Sequence, residues 1–111
     1  MPAESISQNN PEFTEKVNKL SQDTISYLTE EGFKVEPTDA SFLRQILIPN
    51  LLAKNPNMNF LSSLTEIFEN FFLLMYGVNV SEYFKTSKSV EEDKKRKKDL
   101  YEYVQTKLRR E

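Results

Sequence analysis

The sequence predicts an all-α fold, a small bundle of four main helices with one short helical turn. Three observations carry that expectation. The stretch FLSSLTEIFENFFLLMY, Phe60 to Tyr76, is the most apolar in the chain. At about 100° per residue its Ile67, Phe60, Phe71, Leu64, Met75, Phe68, Leu61 and Phe72 fall in one arc of roughly 140°. Phe13, Val17, Leu20, Thr24, Tyr27 and Leu28 recur at helical spacing earlier in the chain. Breakers stand between the periodic stretches: Gly32, Asn55-Pro56-Asn57 and Gly77.

The first helix is expected over 11–31. Asn10 caps it, Pro11 fills the first helical position and Glu12 complements the positive end of the dipole. Gly32 is its left-handed stop. Residues 1–9 are small and polar and read as a flexible tail, leaving 10–111 as a single helical domain. A connector from Phe33 to Thr38 can lay Phe33 and Val35 on the core.

The second helix, over 39–54, starts at Thr38 or Asp39. It carries Phe42, Leu43, Ile46, Leu47, Ile48, Leu51 and Leu52, apolar on nearly every side, so it is either central or shared with a partner. Pro49 removes a backbone donor and disfavours helical geometry at Ile48, which predicts a kink or a break there. The third helix runs over 58–76. Its Leu73 points from the polar face, beside Glu66 and Glu69, either covered by the chain that follows or held in an interface. Ser81 caps a short turn over 81–85. Ser89 and Glu92 form a capping box opening the last helix, over 90–109. Lys94 and Lys97 occupy its middle stripe positions, so 88–99 is expected to stand in solvent while Leu100–Leu108 docks.

Composition excludes several function classes. The chain has no Cys and no His, hence no thiolate nucleophile, no Cys-based metal site and no side chain that titrates near neutral pH unaided. Two glycines cannot build a phosphate-cradling loop. Glu66 and Glu69 are helical neighbours, but di-metal bundles also need Glu-x-x-His pairs. No enzyme, cofactor or metal site is expected. The longest apolar run, Phe71–Tyr76, is far below the ~20 residues of a membrane span. The N-terminal MPAESISQNN lacks the basic and apolar regions of a secretory signal, so the expected location is intracellular, cytoplasmic by default.

Charge is unevenly spread. Residues 1–87 hold 6 basic and 11 acidic side chains, whereas 88–111 hold 9 and 6. Lys94, Lys95, Arg96, Lys97 and Lys98 could contact an anionic partner. Five successive helix positions spread over every face, however, and Glu91, Glu92, Asp93 and Asp99 stand within pairing reach.

Leu20, Ile25, Tyr27-Leu28 and Gly32-Phe33, in LSQDTISYLTEEGF, resemble the LisH (Lis-homology) motif. That resemblance implies an α-helical dimerisation element. The short second helix of that motif is displaced here by Lys34–Thr38, with Pro37 inside the insertion. The expected function is a non-catalytic protein–protein interaction module or small complex subunit, with another protein or a second copy of the chain as partner. Its candidate surface is Ile48, Leu51, Leu52, Phe72 and Leu73. The alternative is a nucleic-acid-associated accessory protein gripping phosphates through the basic last helix.

Overall fold

A computed structural model describes residues 11–85 and 88–109; the expected tail and the Asn10 cap lie outside them. The described residues form five helices and no strand. Helix α1 is Pro11–Glu30, α2 spans 37–54, α3 is Phe60–Tyr76, α4 is the single turn Val80–Tyr83, and α5 spans 90–108.

Both glycines act as stops. Gly32 has φ 102° and Gly77 has φ 70°, a region where a Cβ is strained. After each, the chain reaches back in a Schellman pattern. Phe33 N–H donates to the Leu28 carbonyl at 2.9 Å and Val78 N–H to the Phe72 carbonyl at 3.1 Å. That reversal drops Phe33, 1% exposed, into the core.

Helix α2 starts earlier than expected. Pro37 is its first helical residue, and Asp39 lies in its first turn, accepting from Glu36 N–H at 2.9 Å. Pro49 neither breaks nor splits the helix. Residues Leu43–Leu47 form a wide π turn, with Ile48 N–H bonded to the Leu43 carbonyl five residues back. Pro49 follows directly, at a position where the missing N–H is tolerated. The wide turn slips the register by one residue. Leu43 and Ile48 come onto one line, both 0% exposed, and Leu47, Leu51 and Leu52 are also buried. A helix apolar on nearly every side by α-helical counting is thereby narrowed to one inward face, with Ile46 left half exposed.

The starts of α3, α4 and α5 are capped by side chains. Asn59 accepts from Ser62 N–H at 2.9 Å and opens α3 two residues later than expected. Asn79, rather than Ser81, caps α4. Ser89 caps α5 through Glu92 N–H at 3.1 Å. The Glu92 carboxylate reaches back to Lys88 N–H at 2.7 Å, one residue further than a standard box.

Helix α1 packs against both α2 and α3, and the wide turn of α2 packs against α3. The centre is aromatic. Phe72 has ring centroids of Phe68, Phe71 and Phe33 at 4.9, 5.0 and 5.4 Å, all three edge-on. Leu100, Tyr101 and Val104 of α5 close this cluster from above, all at most 3% exposed.

Candidate interaction site

The structure divides the five residues expected to form a surface. Ile48, Leu51, Leu52 and Phe72 are 0%, 9%, 1% and 0% exposed, inside the chain's own core. The slip in α2 turns the first three inward, and Phe72 lies within the aromatic cluster, so these four present no surface. Leu73 alone is open, 49% exposed, beside Leu74 at 60%. Leu61, counted on the core arc by spacing, is the most exposed large apolar side chain described, at 85%.

The basic run is divided as well. Lys94, Lys95 and Lys98 are exposed, and the Arg96 guanidinium lies 4.0 Å from Glu92. Lys97 turns inward. Its ammonium donates to the Tyr27 hydroxyl at 2.7 Å and lies 3.2 Å from Glu31. The Tyr101 hydroxyl donates to the same Glu31 carboxylate at 3.3 Å. Tyr27 and Glu31 are four apart at the end of α1, Lys97 and Tyr101 four apart on α5, so two same-face pairs meet. Burial pulls the Lys97 ammonium towards neutrality, but the Tyr27 hydroxyl and Glu31 outweigh it and its pKa ends above the ordinary value. Burial, reinforced by Glu31, pushes the Tyr101 hydroxyl strongly up.

Beside Lys97 opens an apolar cleft of about 440 Å³. Tyr27 of α1, Leu64, Thr65, Phe68 and Glu69 of α3, Val80, Ser81 and Phe84 in and beside α4, and Lys97 of α5 line it. Tyr27 is held by edge contacts to Phe60 and Phe68 at 6.3 and 6.4 Å. Leu61 stands one turn before Leu64 and Thr65 on the same helix face. A protruding leucine and an apolar recess therefore adjoin on one helix. A larger groove of about 750 Å³ between α1 and α2 is lined by Phe13, Val17 and Leu52, but also by the polar Asn18, Arg44, Gln45 and Asn50.

A second polar cluster escaped sequence reasoning. Asp39, 0% exposed, accepts from the Tyr76 hydroxyl and from an Arg109 Nη. Arg109 Nε donates to the Tyr76 hydroxyl at 3.0 Å, and its other Nη lies 3.8 Å from Glu36. The guanidinium centre stands 4.5 Å from the Phe33 ring centre, a cation–π contact. Burial and the bond to Asp39 raise the Tyr76 hydroxyl to about 12, with Arg109 opposing. The cluster is closed and internally satisfied, which fits a clasp between α2, α3 and α5. Its signal was hidden by a second wide turn, Val104–Leu108, where Arg109 N–H bonds to the Val104 carbonyl. Residue 109 then lies over 104, where α-helical counting would place 108.

Among the described residues no group of three or more acidic side chains is placed to hold a metal, and no helix is long and apolar enough to cross a membrane. Comparison of the chain with protein-family models, curated proteins and solved structures finds no match.

Proposed function

We propose that the chain is a non-catalytic protein–protein interaction module that pairs with a second copy of itself. Leu61 of each protomer enters the cleft of the other. The observation that carries this reading is the adjacency of the exposed Leu61 to the recess that Leu64 and Phe68 help to line. A two-fold axis beside Thr65 would seat both leucines at once, the self-complementary arrangement of an isologous dimer. The resemblance of residues 20–33 to a dimerisation element supports the same reading, and Tyr27 within it lines the cleft.

Burying a leucine contributes roughly 1.5–3 kcal/mol. Two of them do not by themselves offset an association cost of about 4–15 kcal/mol. The aromatic walls must share the burial, and pairing is expected to be weak and concentration-dependent. The absence of cysteine makes the test clean. Thr65→Cys places one thiol beside the proposed axis, and Ser26→Cys places one on α1 as a control. Under mild oxidation the Thr65 variant should form covalent dimer much faster than the control. Equal rates would remove the proposed axis. The dimer yield should change little with salt, whereas an association through the exposed Lys94, Lys95 and Lys98 would weaken steeply.

A further inference from the structure

We propose that α5 is a latched arm. Arg109 closes it over α3, and it opens as a unit while α1, α2 and α3 stay folded.

The two halves of α5 differ in what holds them. Val90 is 70% exposed, and Glu91, Lys94, Lys95, Lys98 and Asp99 all face solvent. Docking rests on Leu100, Tyr101 and Val104, with Leu108 half-buried, and on packing against the short α4. Three polar ties flank this short apolar patch. Lys97 meets Tyr27 and Glu31, Gln105 accepts from Lys34 N–H at 2.9 Å, and Arg109 enters the Asp39–Tyr76 cluster. The first two ties involve half-exposed groups that water can replace. The third is buried: the Arg109 side chain is 13% exposed and the Asp39 side chain 0%. Breaking it inside the closed structure would leave a carboxylate short of a partner in an apolar surround, which is strongly unfavourable. Opening of the arm lets water reach Asp39, so release of Arg109 and departure of α5 are coupled. Local opening of an element with few buried contacts, at less than the cost of global unfolding, is the general behaviour of such segments.

Lys97 also lines the apolar cleft. An open arm would remove it from that lining and uncover Phe33, Phe68 and Phe72. This consequence rests on the cleft being the docking site; the latch itself does not.

Hydrogen exchange on the 111-residue chain at low, monomeric concentration separates the two ideas. In the wild type, amides of 100–108 should exchange through local opening, at least tenfold faster than the most protected amides of α1 and α3. In Arg109→Gln, exchange across 100–108 should accelerate a further tenfold or more, with α1 and α3 unchanged. Arg109→Lys, keeping the charge but losing the fork, should fall between. Equal protection of α5, α1 and α3 in the wild type would overturn the latch. So would uniform acceleration, or loss of all helical signal, in Arg109→Gln. Failure of the Thr65→Cys cross-link with selective exchange intact would remove the dimer and leave the latch.

Discussion

Arg109 crosses 70 positions of sequence to bind the carboxylate of Asp39 in the interior of the fold. The first-turn acid of α2 thereby receives three donors from three places: Glu36 N–H, the Tyr76 hydroxyl of α3 and the guanidinium that ends α5. A buried charge held this way is costly to strip of partners, whatever its net contribution.

Asp39→Ala should therefore lower the unfolding free energy by about 3 kcal/mol, because it leaves the Arg109 fork, the Tyr76 hydroxyl and the start of α2 without their acceptor. Arg109→Gln should cost less, since the arm can open and hydrate Asp39. Urea unfolding of both single variants and of the Asp39→Ala/Arg109→Gln double variant measures the coupling. The double variant should be more stable than the sum of single effects predicts; strict additivity would mean that the two residues act independently.

Phe72→Ala should cost about 3–5 kcal/mol, the usual penalty for an aromatic removed from a packed core. Total stabilities of small domains are about 5–15 kcal/mol, so the variant should be marginal. The loss should be the same at every protein concentration. A concentration-dependent loss would return Phe72 to the candidate surface expected around Leu73.

Alkaline stability depends on Tyr76. Its hydroxyl ionises at about 12 in the folded chain against 10.0 unperturbed, through burial first and Asp39 second. Below pH 10 both states keep the proton and its contribution is fully present. Between pH 10 and 12 the unfolded state loses the proton while the folded state holds it, so stability falls as pH rises through that window. Tyr101, also raised, adds to the same fall. Thermal unfolding from pH 8 to 12 should show Tyr76→Phe less stable than wild type at pH 8 but with a shallower decline above pH 10. Parallel curves would show that Tyr76 is not a source of the decline.

The helices and their stops were legible because they depend on local rules: periodic apolar residues, caps, and glycine after the last turn. Ile67, Phe68, Phe71 and Phe72 all lie in the core, as their spacing indicated. What escaped was set by departures from that period and by distant partners. The wide turn at Leu43–Leu47 slips Ile48, Leu51 and Leu52 inward, and the one at Val104–Leu108 brings Arg109 over Val104. Both defeat counting at about 3.6 residues per turn. Lys97 read as a solvent charge because Tyr27 and Glu31, about 70 positions earlier, are adjacent to it only after folding. Leu61 has core spacing, yet among the described residues no segment covers the N-terminal end of α3 on that side.

Self-association through Leu61 is tested most directly by light scattering from about 1 μM to about 1 mM, the range in which a weak dimer titrates. The wild-type mass should rise from 13.0 kDa towards twice that value, and Leu61→Asp should stay at 13.0 kDa throughout with its helical signal intact. A wild type that holds 13.0 kDa at every concentration, or a Leu61→Asp variant that dimerises alongside it, would contradict the account.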